Sequence, residues 1–246
     1  MGLWKICFPV RGYGDVGIRS GCPGRNPFSR AVCGLASHRV VWQRDMRARP
    51  ATGASRTEEE ARVKLNLGCG QNKRDGFVNI DKYPTFLPDM LWDLEQTPYP
   101  FEANSVTEIA ATHVLEHLGQ STEVFLSIIK ELYRILAPGG TIDITVPCYR
   151  SDAYWGDPTH VRPITPAMLQ LFSKKNCRVF AERGLPNTPL ADYLDVDLEV
   201  ESVSMGLMPY WQDSYERGEI TQADVDLAFS TQWNVVNEIK MMVRKV

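Results

Sequence analysis

Three groups of residues in this chain have the types and spacing to do chemistry. In the first, the apolar run Lys64-Leu65-Asn66-Leu67 ends in Gly68-Cys69-Gly70, and a second run, Phe77-Val78-Asn79-Ile80, ends in Asp81, eleven residues after Gly70. Glycines let a backbone approach a ligand closely and take up turn dihedrals that other residues resist. A carboxylate at the next strand end can accept both hydroxyls of a ribose. The pair points to a cofactor that contains a nucleoside. The second group is Asp157-Pro158-Thr159-His160-Val161-Arg162, followed by Thr165-Pro166. His160 has an ordinary pKa near neutrality and is a candidate for moving a proton. Asp157 could orient it, and Arg162 could hold an anionic group bidentately. The blander reading is that His160 and Arg162 only brace their loop. The third group is His113 and His117, four apart at an expected helix start and so sharing a face. No HExxH is present, so a metal is not expected there.

The elements that must carry these groups follow from hydrophobic patterning. Strands are expected at about 63–67, 77–81, 89–92, 107–111 and 141–146. A helix is expected from Thr122 to Leu136, with Val124, Phe125, Ile128, Ile129, Leu132, Ile135 and Leu136 on one stripe, Ser121 as its N-cap and Pro138-Gly139-Gly140 as its stop. A long loop, 147–165, precedes a helix that begins at Pro166 and runs to about Lys174. Strands near Leu198–Met205 and Glu238–Val243 read as an antiparallel pair closing the sheet. Between them, Leu207–Trp233 reads as helical, an insertion that could form a lid. Tyr149, Tyr154, Trp155, Tyr210, Trp211 and Trp233 fall in the two regions expected over the site, either as aromatic walls for an acceptor or as packing within the lid.

Bulk properties bound the answer. The chain has 246 residues, 43% hydrophobic and 23% charged, as in a soluble globular protein. No run approaches the ~18 apolar residues of a membrane span. The net charge of -3 divides unevenly: residues 1–50 carry nine Lys/Arg against Asp15 and Asp45, leaving the remainder near -10. An acidic body argues against a nucleic-acid substrate. The six cysteines show no CxxC, which argues against zinc and is simplest in a reducing compartment. Residues 1–62 are rich in Gly, Arg, Pro and Ser and read as a non-globular tail, or as sequence upstream of a start at Met46. A short helix over Thr57–Arg62 is the one element expected there. The expected location is cytoplasmic, with organellar import through the Arg-rich N-terminus as the alternative.

Read in order, Leu65-Asn66-Leu67-Gly68-Cys69-Gly70, Asn79-Ile80-Asp81, Asp93-Leu94, Tyr99-Pro100-Phe101, Ser105-Val106, His113-Val114-Leu115-Glu116-His117-Leu118 and Arg134-Ile135-Leu136-Ala137-Pro138-Gly139-Gly140 resemble the small stand-alone class I S-adenosylmethionine-dependent methyltransferases, of the type 11 kind. The resemblance covers about residues 63–165. It implies an α/β fold: a doubly wound, mostly parallel, seven-stranded Rossmann-like sheet with a C-terminal antiparallel strand, over residues 63–246. It implies S-adenosyl-L-methionine as cofactor, with Gly68 and Gly70 turning backbone N–H groups to its methionine part and Asn66 and Cys69 counted among the contacts. Asp81 would take the ribose, Asp93 the adenine amino group with Leu94 near the ring, and Thr112 and His113 the sulfonium end. The loop of Asp157, His160 and Arg162 would overhang the methyl group. The implied reaction is methyl transfer to an O or N atom of a small molecule, such as a saccharide or other metabolite, with no nucleic acid, membrane or metal involved and the oligomeric state open.

Two alternatives remain: an S-adenosylmethionine-binding protein without catalysis, and an NAD-dependent oxidoreductase. The second fits poorly, because the third glycine of GxGxxG would fall on Lys73 and the acid comes 11 rather than about 20 residues later. One departure from the family is physical. A parallel crossover usually needs a dozen or more residues and a helix. Gly68–Gly76 offers nine, so a cofactor loop with little or no helix is expected, with Lys73 or Arg74 as further candidates to face the cofactor.

Overall fold

The computed structural model describes residues 63–246. The expected tail, its short helix, the start at Met46 and the import signal lie outside the described residues.

Seven strands form one sheet: β1 (Val63–Leu67), β2 (Val78–Asp81), β3 (Met90–Leu91), β4 (Val106–Thr112), β5 (Leu136–Pro147), β6 (Leu198–Leu207) and β7 (Val236–Lys245). Their order is β3-β2-β1-β4-β5-β7-β6. β1 pairs in parallel with β2 and β4, β2 with β3, and β4 with β5. β7 runs antiparallel between β5 and β6. The chain moves outward from β1 to β3, then returns to the other side of β1 for β4. In open α/β sheets, ligands bind at such a reversal, beyond the carboxyl ends of the strands.

The strands show why one face holds the core. Leu65, Leu67, Ile109, Ala111, Ile142, Ile144 and Val146 are buried. Their alternates Lys64, Glu108 and Asp143 are part-exposed, and Lys64 meets Glu108 at 2.8 Å. Helix α1 (Thr122–Ile135) buries Phe125, Ile128, Ile129, Leu132 and Ile135, the stripe read from the sequence. Ser121 caps it by accepting from Val124 N at 3.2 Å. The helix ends before Pro138-Gly139-Gly140: Leu136 already has φ -68° and ψ 132° and opens β5. Leu136 is the C-cap and Pro138 lies two residues beyond it, so the helix ends within a residue of the expected point.

After β5 come α2 (Asp152–Trp155), α3 (Pro166–Leu169), α4 (Lys174–Glu182) and α5 (Leu190–Leu194). Thr165 caps α3 through Met168 N at 3.1 Å, with Pro166 in the first turn. The single helix expected over 166–174 is broken. A 3-10 turn, Gln170–Phe172, buries Phe172, and Ser173 then starts α4 by accepting from Asn176 N. Between β6 and β7, α6 (Pro209–Glu216) and α7 (Gln222–Thr231) fill the region expected to be helical, α7 opening on a Thr221–Asp224 capping box.

Candidate active site

A cavity of about 610 Å³ opens beyond the carboxyl ends of β1 to β4. Gly68, Asp81, Asp93, Leu94 and His113 all line it, as expected of cofactor contacts. Tyr83, Phe86 and Trp92 add an aromatic side, and Val114, His117, Gln120, Pro158 and Thr159 the opposite one. Its size is that of a small-molecule pocket.

Asp81 is the hinge of the first half. Its side chain is 7% exposed as a residue, with Oδ2 accepting from Gly70 N and Oδ1 from Tyr83 N, both at 2.9 Å. The carboxylate thus ties the β1 turn to the β2 turn. Each oxygen keeps a lone pair for a further donor. Gly68 has φ +55°, and a Cβ there would stand 2.2 Å from Val114 Cγ2. The glycine is required by this close approach of the turns after β1 and β4. Asp93 accepts from Glu95 N at 3.1 Å with one oxygen.

The segment from Gly68 to Phe77 contains no helix, as its length demands. Side-chain amides hold it instead. Asn66 Nδ2 donates to Asn72 O and to Asn79 Oδ1, both at 2.9 Å, and Arg74 N donates to the same Asn79 oxygen at 2.8 Å. Asn79 Nδ2 and its backbone N–H donate to Asp89 Oδ2, which holds that carboxyl below its usual range. Asn66, Cys69, Gly70 and Thr112 therefore stand behind the cavity, not on its wall: Asn66 in the amide network, Cys69 buried with its N–H on Ile80 O, Gly70 on Asp81, and Thr112 under Arg74 Nη2 at 3.1 Å. Lys73 is hydrogen-bonded to Leu87 O, and neither it nor Arg74 reaches the wall.

His113 does not begin a helix. It is left-handed, with φ 54°, and its N–H donates to Thr145 O. His113 and His117 therefore do not share a helix face; His117 closes a 3-10 turn, Leu115–His117, that begins after His113. The Glu116 carboxylate, 3.4 Å from Nδ1, and Glu238, 3.5 Å from Nε2, hold the His113 imidazole above its usual pKa against the opposing effect of burial.

The 157–162 loop returns to Glu116: Val161 N and Arg162 N both donate to its carbonyl. His160 lies outside the cavity wall. Its side chain is 8% exposed, its Nδ1 meets Tyr154 O at 2.5 Å, and its ring sits between those of Tyr154 and His117. Asp157 accepts from Thr159 N and Oγ1, and is 3.9 Å from His160 Nε2. Arg162 reaches Gly119 O and covers the Phe125 ring at 4.6 Å, so it braces the loop and does not face the cavity. The histidines that do face it are His113 and His117, and His117 Nδ1 meets Thr159 Oγ1 at 2.9 Å. Of the expected aromatic residues, Tyr154 is buried against His160, and none of the cavity lining comes from 207–233. The aromatic residues that line it, Tyr83, Phe86 and Trp92, follow β2 and β3; Trp92 ends the strand expected over 89–92, and Tyr83 and Phe86 fall in no expected element.

No protein-family model matches the chain, and no curated protein is significantly similar to it. Solved structures are similar in fold. An S-adenosylmethionine-dependent methyltransferase from Archaeoglobus fulgidus superposes with a TM-score of 0.50 over 75% of this chain and 86% of its own, at 14% identity. Another from Mesorhizobium loti covers 75% of this chain and 91% of its own at 15% identity, with a TM-score of 0.41. Strand order, the antiparallel β7 and the Archaeoglobus superposition define the fold as the Rossmann-like α/β fold of the class I methyltransferases.

Proposed function

We propose that the chain is an S-adenosylmethionine-dependent methyltransferase acting on an oxygen or nitrogen atom of a small molecule, such as a saccharide or other metabolite. The observation that carries the reading is the convergence of Gly68, Asp81, Asp93, Leu94 and His113 on one cavity at the sheet's reversal point. The donor set fits the cofactor. Asp81 has free lone pairs for ribose hydroxyls, Asp93 an oxygen for an amino group, and Tyr83, Phe86 and Trp92 offer ring faces to a nucleobase. Gly68 lets the backbone come close to the amino-acid end.

When bound, the cofactor supplies an activated methyl group on a good leaving group. The protein's share is then alignment, exclusion of water and, for a hydroxyl acceptor, care of a proton. Alignment falls to the wall formed by His113, His117, Gln120 and Thr159. Behind that wall stand Glu116 and His160, next to His117, with Asp157 fixing Thr159 and Arg162 fixing the loop. His160 acts from behind His117 in this reading. Calorimetry tests the cofactor: S-adenosylmethionine and S-adenosylhomocysteine should bind and NAD should not. Absence of binding by both adenosyl compounds refutes the proposal. A screen of metabolite classes for release of S-adenosylhomocysteine then identifies the acceptor; release on nucleic acid alone would refute the small-molecule assignment.

A further inference from the structure

Glu116 is not explained by the cofactor cavity. It is fully buried, and neither carboxylate oxygen has a hydrogen-bond partner. The nearest cationic group is the His113 ring, 3.4 Å away, which pairs with Glu116 without completing a hydrogen bond to it. A buried carboxylate with one such neighbour and no hydrogen bond is incompletely compensated. Its oxygens have capacity for a further cation.

The cation's other donors are in place. One donor atom each from Glu116, His117 and His160 lies within 4.8 Å of the others. Both imidazoles are held by their Nδ1. Tyr154 O can only accept, so His160 Nδ1 carries the proton of that bond. Thr159 Oγ1 gives its own hydrogen to Asp157 Oδ1 at 2.6 Å, so it accepts from His117 Nδ1–H. Each ring therefore keeps Nε2 as its lone-pair nitrogen. Two histidines anchored through the other nitrogen on a carbonyl or a carboxylate relay, beside one carboxylate, make up the ligand set and supporting shell of a divalent transition-metal site. Donors at about 2.1 Å from one ion stand roughly 3.4 Å apart, so side chains whose nearest donor atoms are already within 4.8 Å of one another can close on it by rotation.

We propose that Glu116, His117 and His160 bind one divalent transition-metal ion, of the zinc, cobalt, manganese or iron class, at the rim of the cavity. The sequence reading expected no metal because it looked for ligands at local spacings. This set is tertiary: Glu116 and His117 follow β4, whereas His160 comes from the loop after β5, drawn in by the Val161 and Arg162 hydrogen bonds to Glu116 O. His117 lines the cavity, so open coordination positions on its side would receive an acceptor oxygen and polarise its hydroxyl. That last role rests on the methyltransferase reading; the cation site does not.

The test is titration of the EDTA-treated full chain with Co²⁺, followed by visible absorption. One equivalent should bind, with d–d bands and no thiolate charge-transfer band. Glu116→Gln, His117→Ala and His160→Ala should each weaken binding by on the order of tenfold or more. Glu116→Gln should also abolish the rise in melting temperature that Co²⁺ gives the unaltered chain. This readout holds even if the histidine variants fold poorly. No binding of Co²⁺, Zn²⁺ or Mn²⁺, binding indifferent to all three variants, or a thiolate band would overturn the site. Asp81→Ala keeps the two proposals apart: it should retain Co²⁺ and lose S-adenosylhomocysteine. An unaltered chain that binds Co²⁺ and no adenosyl compound refutes the cofactor reading alone.

Discussion

Asp81→Ala distinguishes a ribose-binding carboxylate from one that only ties two turns together. Both roles are compatible with its position, since Gly70 N and Tyr83 N already use one lone pair on each oxygen. The tie alone has a modest worth. Hydrogen bonds to a charged group contribute about 1.5–3 kcal/mol each. Tyr83 is exposed and Gly70 is partly so, however, and water can replace the carboxylate at both N–H groups. The variant should lose roughly 1–2 kcal/mol of stability on this account. Two further bonds from ribose hydroxyls, at about 1.5–3 kcal/mol each, would be lost only on cofactor binding. Their sum, about 3–6 kcal/mol, corresponds to roughly a hundredfold to ten-thousandfold loss of affinity. Calorimetry with S-adenosylhomocysteine measures the affinity, and urea unfolding of the free variant measures the stability. An affinity loss below about tenfold, with the expected fall in stability, would refute the ribose role and leave Asp81 as a turn staple.

Gly68→Ala should destabilise by about 1–3 kcal/mol, because its Cβ would meet Val114 Cγ2 at 2.2 Å in a backbone of φ +55°; urea unfolding of Gly68→Ala with and without Val114→Ala checks it, and part of the loss should return in the double variant. Glu131 accepts from Tyr99 N and pairs with Arg134 at 2.6 Å, so Glu131→Gln should cost roughly 2 kcal/mol, discounted from the fully buried range because Arg134 is one-third exposed. Burial opposes ionisation of Glu131, but the Arg134 and Tyr99 donors outweigh it and hold its pKa below 4.5. A depressed folded pKa gives stability that is present above the unfolded value and lost as pH falls through the folded one, so melting curves of the variant should lose part of the native acid dependence below about pH 4.5. Asn79→Ala should cost about 2–4 kcal/mol in urea unfolding and lower cofactor affinity in calorimetry, although Asn79 is not on the cavity wall; unchanged affinity would show that the amide network does not position the turn.

The sequence made legible whatever depends on local periodicity. The runs ending in Gly68 and Asp81 are buried parallel strands, and the stripe from Phe125 to Ile135 is the buried face of α1. Pro138-Gly139-Gly140 marks the end of α1, and the chain is extended from Leu136 in the register that pairs it with Val106. Other local signals misled. The Pro166 helix breaks because Phe172 is drawn into the core and Ser173 offers a second cap, and patterning at this length does not separate one helix from two. The 157–162 loop borders the cavity through Pro158, Thr159 and Val161, but the side chains singled out in it do not line that cavity. His160 and Arg162 turn to Tyr154 O and Gly119 O, and these carbonyls are six and 43 residues away. Glu116 lies inside a recognised motif, but its full burial and its approach to His160 arise from tertiary packing that a local pattern does not carry.

The short crossover explains why Asp81 carries so much. In a longer βαβ unit, a helix N-terminus would present several free N–H groups and a partial positive charge to the cofactor's anionic end. Here the loop has no helix to give, and its free N–H groups are spent internally: Cys69 on Ile80 O, Gly70 on Asp81, Asn72 on Cys69 O and Arg74 on Asn79. The turn is therefore held in shape without free N–H groups to offer a ligand. Its shape is fixed by two buried amides, Asn66 and Asn79, and by one carboxylate that bridges to the neighbouring turn. Rigidity from side-chain amides preserves the geometry a glycine turn needs, whereas the attraction for an anion must come from elsewhere. Among the described residues lining the cavity, the groups able to carry positive charge are Lys82, His113 and His117. His113, held toward its protonated form by Glu116 and Glu238 at the end of β4, is the one already biased to do so.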